Sequence, residues 1–314
     1  MASPLLFNYS IDCELPPNTH YTGGTERRPF LHGPESWHFA EESVRGFVRL
    51  MNDLQVIEGA SLFVYPDVAI EQKRLFHEMA DAGIETALHV NGLRYSRLNG
   101  DKAKWLGAMT YQEQRDAIAM AKQDLEQVTG RPCQGYRACY GSANDDTFNI
   151  LEELGFSWAS NARGRFRAET FANWCGSWPY PHFASGRSKL VPGDLNVFEI
   201  PITVGVDTFL EDDRNKPFDL RVETPINLTR EDRDVHRQVI EENLVHMRRM
   251  NVPVKVIAGA SHNTSDYGDF ECVRSQHLRW VVRHTRELCR QYGLDFVPAS
   301  FERMRAEAQR VDSY

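Results

Sequence analysis

Two carboxylates stand one residue apart where the first apolar run of the chain ends. The run covers residues 5–11, and Asp12 and Glu14 follow it. Because side chains alternate along a strand, residues two apart point the same way, so both acids should project from the end of one strand. One carboxylate of such a pair can hold a metal ion or a proton while the other activates water. Acids at strand ends also cap helices or face solvent, so the pair alone does not define a site.

Three later segments carry side chains that could contribute to the same site. Each closes on a chemically useful side chain, namely His89, Arg137 and His262. A guanidinium can bind a carboxylate through two hydrogen bonds and keep it ionised, and a protonated histidine can donate to a leaving nitrogen. Each residue also has an ordinary interpretation. His89 could be a histidine of the core, Arg137 the partner of a structural ion pair, and His262 an exposed loop residue.

Apolar runs alternate with amphipathic stretches along the chain, which is typical of parallel strands covered by helices. The pattern predicts strands at 5–11, 60–65, 84–90, 133–138, 156–160, 196–204, 253–260 and 294–298, and helices at 39–54, 69–82, 110–128, 144–154, 229–250, 275–292 and 301–311. Two stretches, 15–38 and 162–194, lack either pattern, and long loops in a compact domain often carry function. We expect a single domain over 1–314.

Composition narrows the classes of partner. The 314 residues are 41% hydrophobic, which is enough for a large core. Their net charge of -8 argues against nucleic acid or an anionic membrane as the main partner. We see no run long enough to cross a bilayer and no export signal, so we expect a cytoplasmic protein without membrane insertion. The six cysteines form no Cys-x-x-Cys pair, which speaks against a zinc ribbon or a thioredoxin-type site and favours reduced, mostly buried thiols.

Four segments, taken in order, resemble the polysaccharide deacetylase superfamily, also called the NodB-homology or carbohydrate esterase family 4 fold. They are residues 10–14, 87–89, 135–141 and 258–262. The resemblance implies an α/β fold, the irregular (β/α) barrel of that superfamily. It also implies a hydrolase in which a divalent metal ion, best taken as zinc, activates water to remove the acyl group of an N-acylated sugar.

Carried over residue by residue, the resemblance implies a role for each member of the constellation. Asp12 would be the general base, and Arg137 would pair with it. Glu14 and His89 would be metal ligands, and His262 would protonate the leaving amine or stabilise the tetrahedral intermediate.

The second of these segments departs from the superfamily pattern. The superfamily usually has two histidines four residues apart, but Leu93 stands four residues after His89. Aligning Asn91 and Tyr95 with those positions instead makes 92–95 resemble the metal-independent allantoinase branch. If a metal ion is bound, Glu14 and His89 provide two ligands and the third must be His20, Asp12 or a loop residue, because zinc binds well with three protein ligands and one open position.

Three residues are candidates for substrate binding: Tyr140, Asn91 and Trp178. Trp178 belongs to an aromatic group in the second long stretch, and flat rings can stack on a sugar or simply cover the end of the barrel. We expect a carbohydrate or another small amide as substrate, and association of copies through outer helices stays open. The alternatives are a metal-independent hydrolase of a small cyclic amide or ureide, and a catalytically inactive carbohydrate-binding barrel.

Overall fold

The chain alternates between strands and helices almost from end to end. A computed structural model describes residues 3–16, 33–98, 104–164, 166–210, 216–223 and 230–312. The strands are β1 (Ser3–Cys13), β2 (Ala60–Val64), β3 (Glu85–Val90), β4 (Gly135–Ala138), β5 (Trp158–Ala159), β6 (Phe166–Arg167), β7 (Ala172–Asn173), β8 (His182–Phe183), β9 (Phe198–Glu199), β10 (Val204–Leu210), β11 (Lys216–Asp219), β12 (Lys255–His262) and β13 (Leu294–Pro298). The helices are α1 (Trp37–Asp53), α2 (Pro66–Glu71), α3 (Lys73–Asp81), α4 (Gly92–Leu98), α5 (Tyr111–Thr129), α6 (Thr147–Glu153), α7 (Arg230–Arg249), α8 (Val273–Tyr292) and α9 (Phe301–Asp312).

A curled sheet forms the centre of the molecule. Its order is β12-β1-β2-β3-β4-β5-β9-β8, and β13 pairs with the first half of β1. The pairs are parallel except for β8 with β9. The predicted irregular (β/α) barrel is therefore confirmed, and its parallel strands end together at one face.

The strand β1 shows how the barrel interior receives its polar groups. Its residues from Leu5 onward are buried, as expected for a parallel strand covered on both faces. Phe7 and Ile11 pack into the main hydrophobic core, whereas the even-numbered Leu6 packs into a second core with other residues. The same alternation carries Asp12 toward the interior, where it is only 2% exposed.

The predicted elements agree with the structure where the periodicity is long, and differ where it is short. Helix α5 begins with a capping box, in which the Thr110 side chain accepts from the Glu113 N–H and Glu113 bonds back to the Thr110 N–H. The single helix predicted over 69–82 is wrong. The chain forms α2 and α3 instead, because Pro66 starts a helix early and Gln72 leaves helical geometry.

Other differences lie in the regions without regular apolar patterns. The strand predicted over 196–204 contributes only β9 to the central sheet, and β10 pairs with β11 in a separate ribbon. The second long stretch contains the short strands β6, β7 and β8. Most of the first, residues 17–32, lies outside the described residues, as does His20. Within the described ranges, no helix is long and apolar enough to cross a membrane.

Candidate active site

A cavity of about 400 Å³ opens at the carboxyl ends of the parallel strands. It is lined by Asp12, Glu14, Gly33, His89, Cys139, Tyr140, Arg163, Arg221, Glu223, His262, Thr264 and Arg274. Five of the predicted site residues are in this lining, and Arg137 lies directly behind Asp12. The strand register explains the convergence, because Asp12 pairs with His262 across β1 and β12, and His89 pairs with Arg137 across β3 and β4.

Asp12 and Arg137 form a buried ion pair. Arg137 Nη1 donates to Asp12 Oδ1 at 2.6 Å, and Arg137 is fully buried. Its other nitrogens donate to the carbonyl and the hydroxyl of Ser160, both at 2.9 Å, and its Cζ atom lies 3.6 Å from the centre of the Phe63 ring. Burial alone would raise the pKa of Asp12, but the Arg137 guanidinium and neighbouring cations hold it well below its usual range. Asp12 is therefore an anionic carboxylate in a fixed position.

His89 has one ring nitrogen committed to the backbone and one facing the acids. Its Nδ1 lies 3.1 Å from the Arg137 carbonyl oxygen, which can only accept, so Nδ1 carries the proton in the neutral ring. Its Nε2 lies 3.9 Å from both Asp12 Oδ2 and Glu14 Oε1. Burial lowers the pKa of His89 and so favours the neutral ring. This is the form of histidine that binds metal ions.

Cys139 completes a set of three potential ligands that the sequence analysis did not assemble. The donor atoms of Glu14, His89 and Cys139 all lie within 4.8 Å of one another, and all three residues are buried. Carboxylate oxygen, imidazole nitrogen and thiolate sulfur are the donors that zinc takes in proteins. The residues present therefore fit a divalent ion such as zinc. A usable signal was in the chain, because Cys139 stands two residues after Arg137 at a strand end.

His262 is held by a carboxylate that the sequence analysis missed, Glu223. The Glu223 Oε1 atom lies 3.2 Å from His262 Nδ1 and also accepts from the His262 N–H at 2.8 Å and the Ser261 hydroxyl at 2.6 Å. Burial alone would lower the pKa of His262, but the adjacent Glu223 more than offsets this, and the net pKa is raised. The imidazolium form is thus favoured at the pocket.

The segment that carries Glu223 is anchored by a tyrosine of β1. Tyr9 donates its hydroxyl to the Leu220 carbonyl at 2.9 Å and accepts from the Val222 N–H at 3.2 Å. Leu220 and Val222 are fully buried, and the polar residues at 219, 221 and 223 alternate with them. This period of two is the signal that could have indicated an extended segment with one polar face toward the site.

Three arginines in the cavity lining were also missed. Arg163 Nη2 lies 3.7 Å from Asp12 Oδ2. Arg221 donates from Nε to both carboxylate oxygens of Asp219 at 2.9 and 3.0 Å. Arg274 donates from Nη1 to the Thr264 carbonyl at 3.2 Å. Guanidinium groups bind carboxylates and other oxyanions well, so these three side chains could bind an anionic group of a ligand.

The three predicted substrate-binding residues take different places. Tyr140 lines the cavity with a φ of 58°, a conformation that is strained for a bulky residue and often found at functional sites. Asn91 is buried and its Oδ1 accepts from the Leu93 N–H at 3.0 Å, at the start of α4. Trp178 packs edge-on against Tyr180, with ring centres 6.0 Å apart. Neither Asn91 nor Trp178 is among the residues that line the cavity, so a substrate role for them stays a prediction.

Sequence comparison identifies one family. Residues 33–159 match the family described as "Polysaccharide deacetylase", and this range contains His89 and Arg137. A comparison with curated protein sequences finds no match.

Solved structures share the fold over nearly the whole chain. A predicted polysaccharide deacetylase from Mycobacterium smegmatis superposes with a TM-score of 0.60 and 16% identity, covering 99% of this chain and 92% of that one. PuuE allantoinase superposes with a TM-score of 0.60 and 12% identity, covering 99% of this chain and 92% of that one. A probable polysaccharide deacetylase from Pseudomonas aeruginosa PAO1 superposes with a TM-score of 0.55 and 13% identity, covering 98% of this chain and 91% of that one. In the matched segment and in its fold, the chain is therefore similar to polysaccharide deacetylases.

Proposed function

We propose that the protein is a hydrolase that cleaves the amide bond of an N-acylated sugar and releases the acyl group as a carboxylic acid. One observation carries this assignment: a single cavity presents an anionic base and a cationic acid, each held in its charge state by an ion-pair partner. Asp12 is held by Arg137, and His262 by Glu223. Amide hydrolysis needs both functions at once, because water must lose a proton and the leaving nitrogen must gain one.

In the proposed reaction, Asp12 takes the proton of the attacking water. Its Oδ1 is occupied by Arg137, so Oδ2 is the atom available to the cavity. A carboxylate whose pKa is held low is a weak base, and it therefore needs water of increased acidity. A divalent ion held by Glu14 and His89 would supply that acidity and would polarise the amide carbonyl.

His262 gives the second proton, to the nitrogen of the leaving amine. Its Nδ1 proton is directed at Glu223, so the Nε2 proton is the one available for transfer. The same charge stabilises the oxyanion of the tetrahedral intermediate before the C–N bond breaks. Asn263 keeps the two strand ends together, because its side chain accepts from the Glu14 N–H at 2.8 Å and donates to the Glu14 carbonyl at 3.2 Å.

A second candidate is the metal-independent hydrolysis of a small cyclic amide or ureide. This candidate is favoured by Leu93, which stands where the resemblance leads one to expect a second histidine. The Leu93 side chain is buried and cannot act as a metal ligand. An inactive sugar-binding barrel is favoured by no contact in the described site. It would leave the buried Asp12–Arg137 pair without a task, and buried charge is costly to keep.

The test is a comparison of acid release from N-acetylated sugars with ring opening of cyclic amides, each with and without a chelator. Chelator-sensitive acetate release that is lost in Asp12→Asn supports the deacetylase. Ring opening that survives the chelator supports the second candidate. Sugar binding without turnover, unchanged in Asp12→Asn, would establish the inactive barrel and refute both enzymes.

A further inference from the structure

We propose that Cys139 is the third protein ligand of the metal ion, binding through its thiolate in the place where the superfamily resemblance calls for a second histidine. This rests on the metal-assisted form of the proposed function. It makes the site a Glu14–His89–Cys139 centre with one position left toward the cavity.

The first support is the proximity of the three donor atoms. The Glu14 Oε1 atom lies 3.9 Å from His89 Nε2, and the Cys139 sulfur lies within 4.8 Å of a donor atom of each. Bond lengths of about 2.0 to 2.3 Å around tetrahedral zinc place neighbouring ligand atoms roughly 3.3 to 3.6 Å apart. An inward movement of about 1 Å or less would therefore close the set around an ion. Leu93, by contrast, is an apolar residue of the core with no donor atom in its side chain.

The second support is the orientation of the ligands by their other contacts. His89 directs Nδ1–H at the Arg137 carbonyl, so the lone pair of Nε2 faces the acids. A metal-binding histidine almost always has such a backbone or carboxylate partner. Tyr65 donates its hydroxyl to the Cys139 sulfur at 2.7 Å, which stabilises a thiolate and orients its remaining lone pairs. The Tyr65 ring also lies against His89, with ring centres 4.5 Å apart, so one side chain supports two ligands.

The third support is the balance of charge. A carboxylate, a thiolate and a neutral imidazole bring two negative charges, which match a divalent cation. The nearby Asp12 carboxylate is already balanced by Arg137. Thiolate sulfur is a soft ligand that favours zinc and similar transition metals, whereas magnesium and calcium take oxygen ligands. The centre is therefore expected to select zinc or cobalt over magnesium.

Cobalt substitution tests the sulfur ligand directly. The protein is stripped with a chelator and titrated with Co²⁺ while its absorption spectrum is recorded. A cobalt–thiolate bond gives an intense ultraviolet charge-transfer band that cobalt–oxygen and cobalt–nitrogen bonds do not give. We expect this band to saturate at one equivalent of Co²⁺ in the wild type and to be absent in Cys139→Ser.

Cys133→Ser is the matched control, since Cys133 is also buried and lies before β4, whereas Cys139 follows it. The control should keep the full band. A second variant, Cys139→Asp, should still bind one Co²⁺ without the band, and circular dichroism should show that both site variants remain folded.

An independent measurement uses the wild-type protein alone. Bound zinc should protect Cys139 from alkylation, read by mass spectrometry, while the exposed Cys175 should react equally with and without zinc. Stoichiometric cobalt without the band, or no protection of Cys139 by zinc, would overturn the sulfur ligand and leave the proposed hydrolase standing. Failure to bind any ion after reconstitution would overturn both the ligand and the metal-assisted reaction.

Discussion

Each charged group at the site has its charge state set by a particular neighbour. Arg137 has its hydrogen bonds fixed by Asp12, Ser10 and Ser160, so it cannot turn away from the carboxylate. Glu223 similarly accepts three bonds on one oxygen, two of them from His262. Removing one member of either pair should therefore change the chemistry of the other.

Asp12→Asn should lower turnover by at least about 100-fold, the usual loss for a general base. It should also lower the free energy of unfolding by roughly 3 kcal/mol, because the Arg137 charge stays buried beside a neutral amide. Steady-state kinetics and urea unfolding measure the two effects. Asp53→Asn, at an exposed position at the end of α1, is the control and should change neither. Near-normal turnover of Asp12→Asn would remove Asp12 from the mechanism.

Glu223→Gln should move the pH profile without abolishing activity. Because Glu223 raises the pKa of His262, the neutral amide should lower it. If His262 acts as the acid, activity is lost where it deprotonates, so the basic limb of kcat/KM should shift to lower pH. The acidic limb should stay where it is. A basic limb that does not move in this variant would show that the His262 proton is not the one that limits the rate.

At the scale of the elements, the sequence predicted those strands that are long and covered on both faces. The buried runs of β1, β3 and β12 are continuous and apolar, and their ends located Asp12, His89 and His262. Glu223 could not be found this way, because its position depends on Tyr9, more than 200 residues distant in the chain. Cys139 was missed for another reason. Its place just after β4 can be read from the sequence, but its role as a donor depends on its distance from β1 and β3, which the apolar periodicity does not contain.

Two of the outer helices meet through histidines rather than apolar residues alone. His236 of α7 and His277 of α8 are both fully buried, and His236 Nδ1 is hydrogen-bonded to His277 Nε2. One nitrogen of such a bond must accept, so the two rings cannot both be protonated there. Burial, together with the neighbouring His236, lowers the pKa of His277 from 6.5 to about 3.

The packing of α7 on α8 should therefore weaken in mild acid. The unfolded chain takes up a proton on His277 below pH 6.5, whereas the folded chain does so only near pH 3. The contribution of neutral His277 to the free energy of unfolding is therefore fully present above pH 6.5. It decreases as the pH falls, and at pH 5 it is smaller by roughly 2 kcal/mol. His277→Gln should remove this part of the pH dependence in urea unfolding. His246→Gln, at a partly exposed position of α7, should retain it, and equal slopes in the two variants would contradict the assignment.

On the scale of the whole molecule, the net charge does not describe the cavity, whose lining holds three arginines beside the carboxylates of Asp12, Glu14 and Glu223. The chain carries a net charge of -8, yet Arg163, Arg221 and Arg274 line one cavity. Clefts focus the field of their own charges, so a small anion can be attracted locally by a protein that is acidic overall. Inorganic phosphate should then inhibit the reaction competitively, raising KM and leaving kcat unchanged, while chloride at equal ionic strength should not.

Arg274→Gln should weaken this inhibition roughly tenfold, because a hydrogen bond from a guanidinium to an anion contributes about 1.5 kcal/mol or more. Arg274 is the informative position, since Arg221 bonds Asp219 and Arg163 is close to Asp12. The control is Arg249→Gln, at an exposed position at the end of α7, which changes the net charge equally without touching the cavity. If both variants weaken the inhibition alike, the attraction comes from overall charge and not from the cavity. If only Arg274→Gln does so, the pocket itself selects the charge of what enters it.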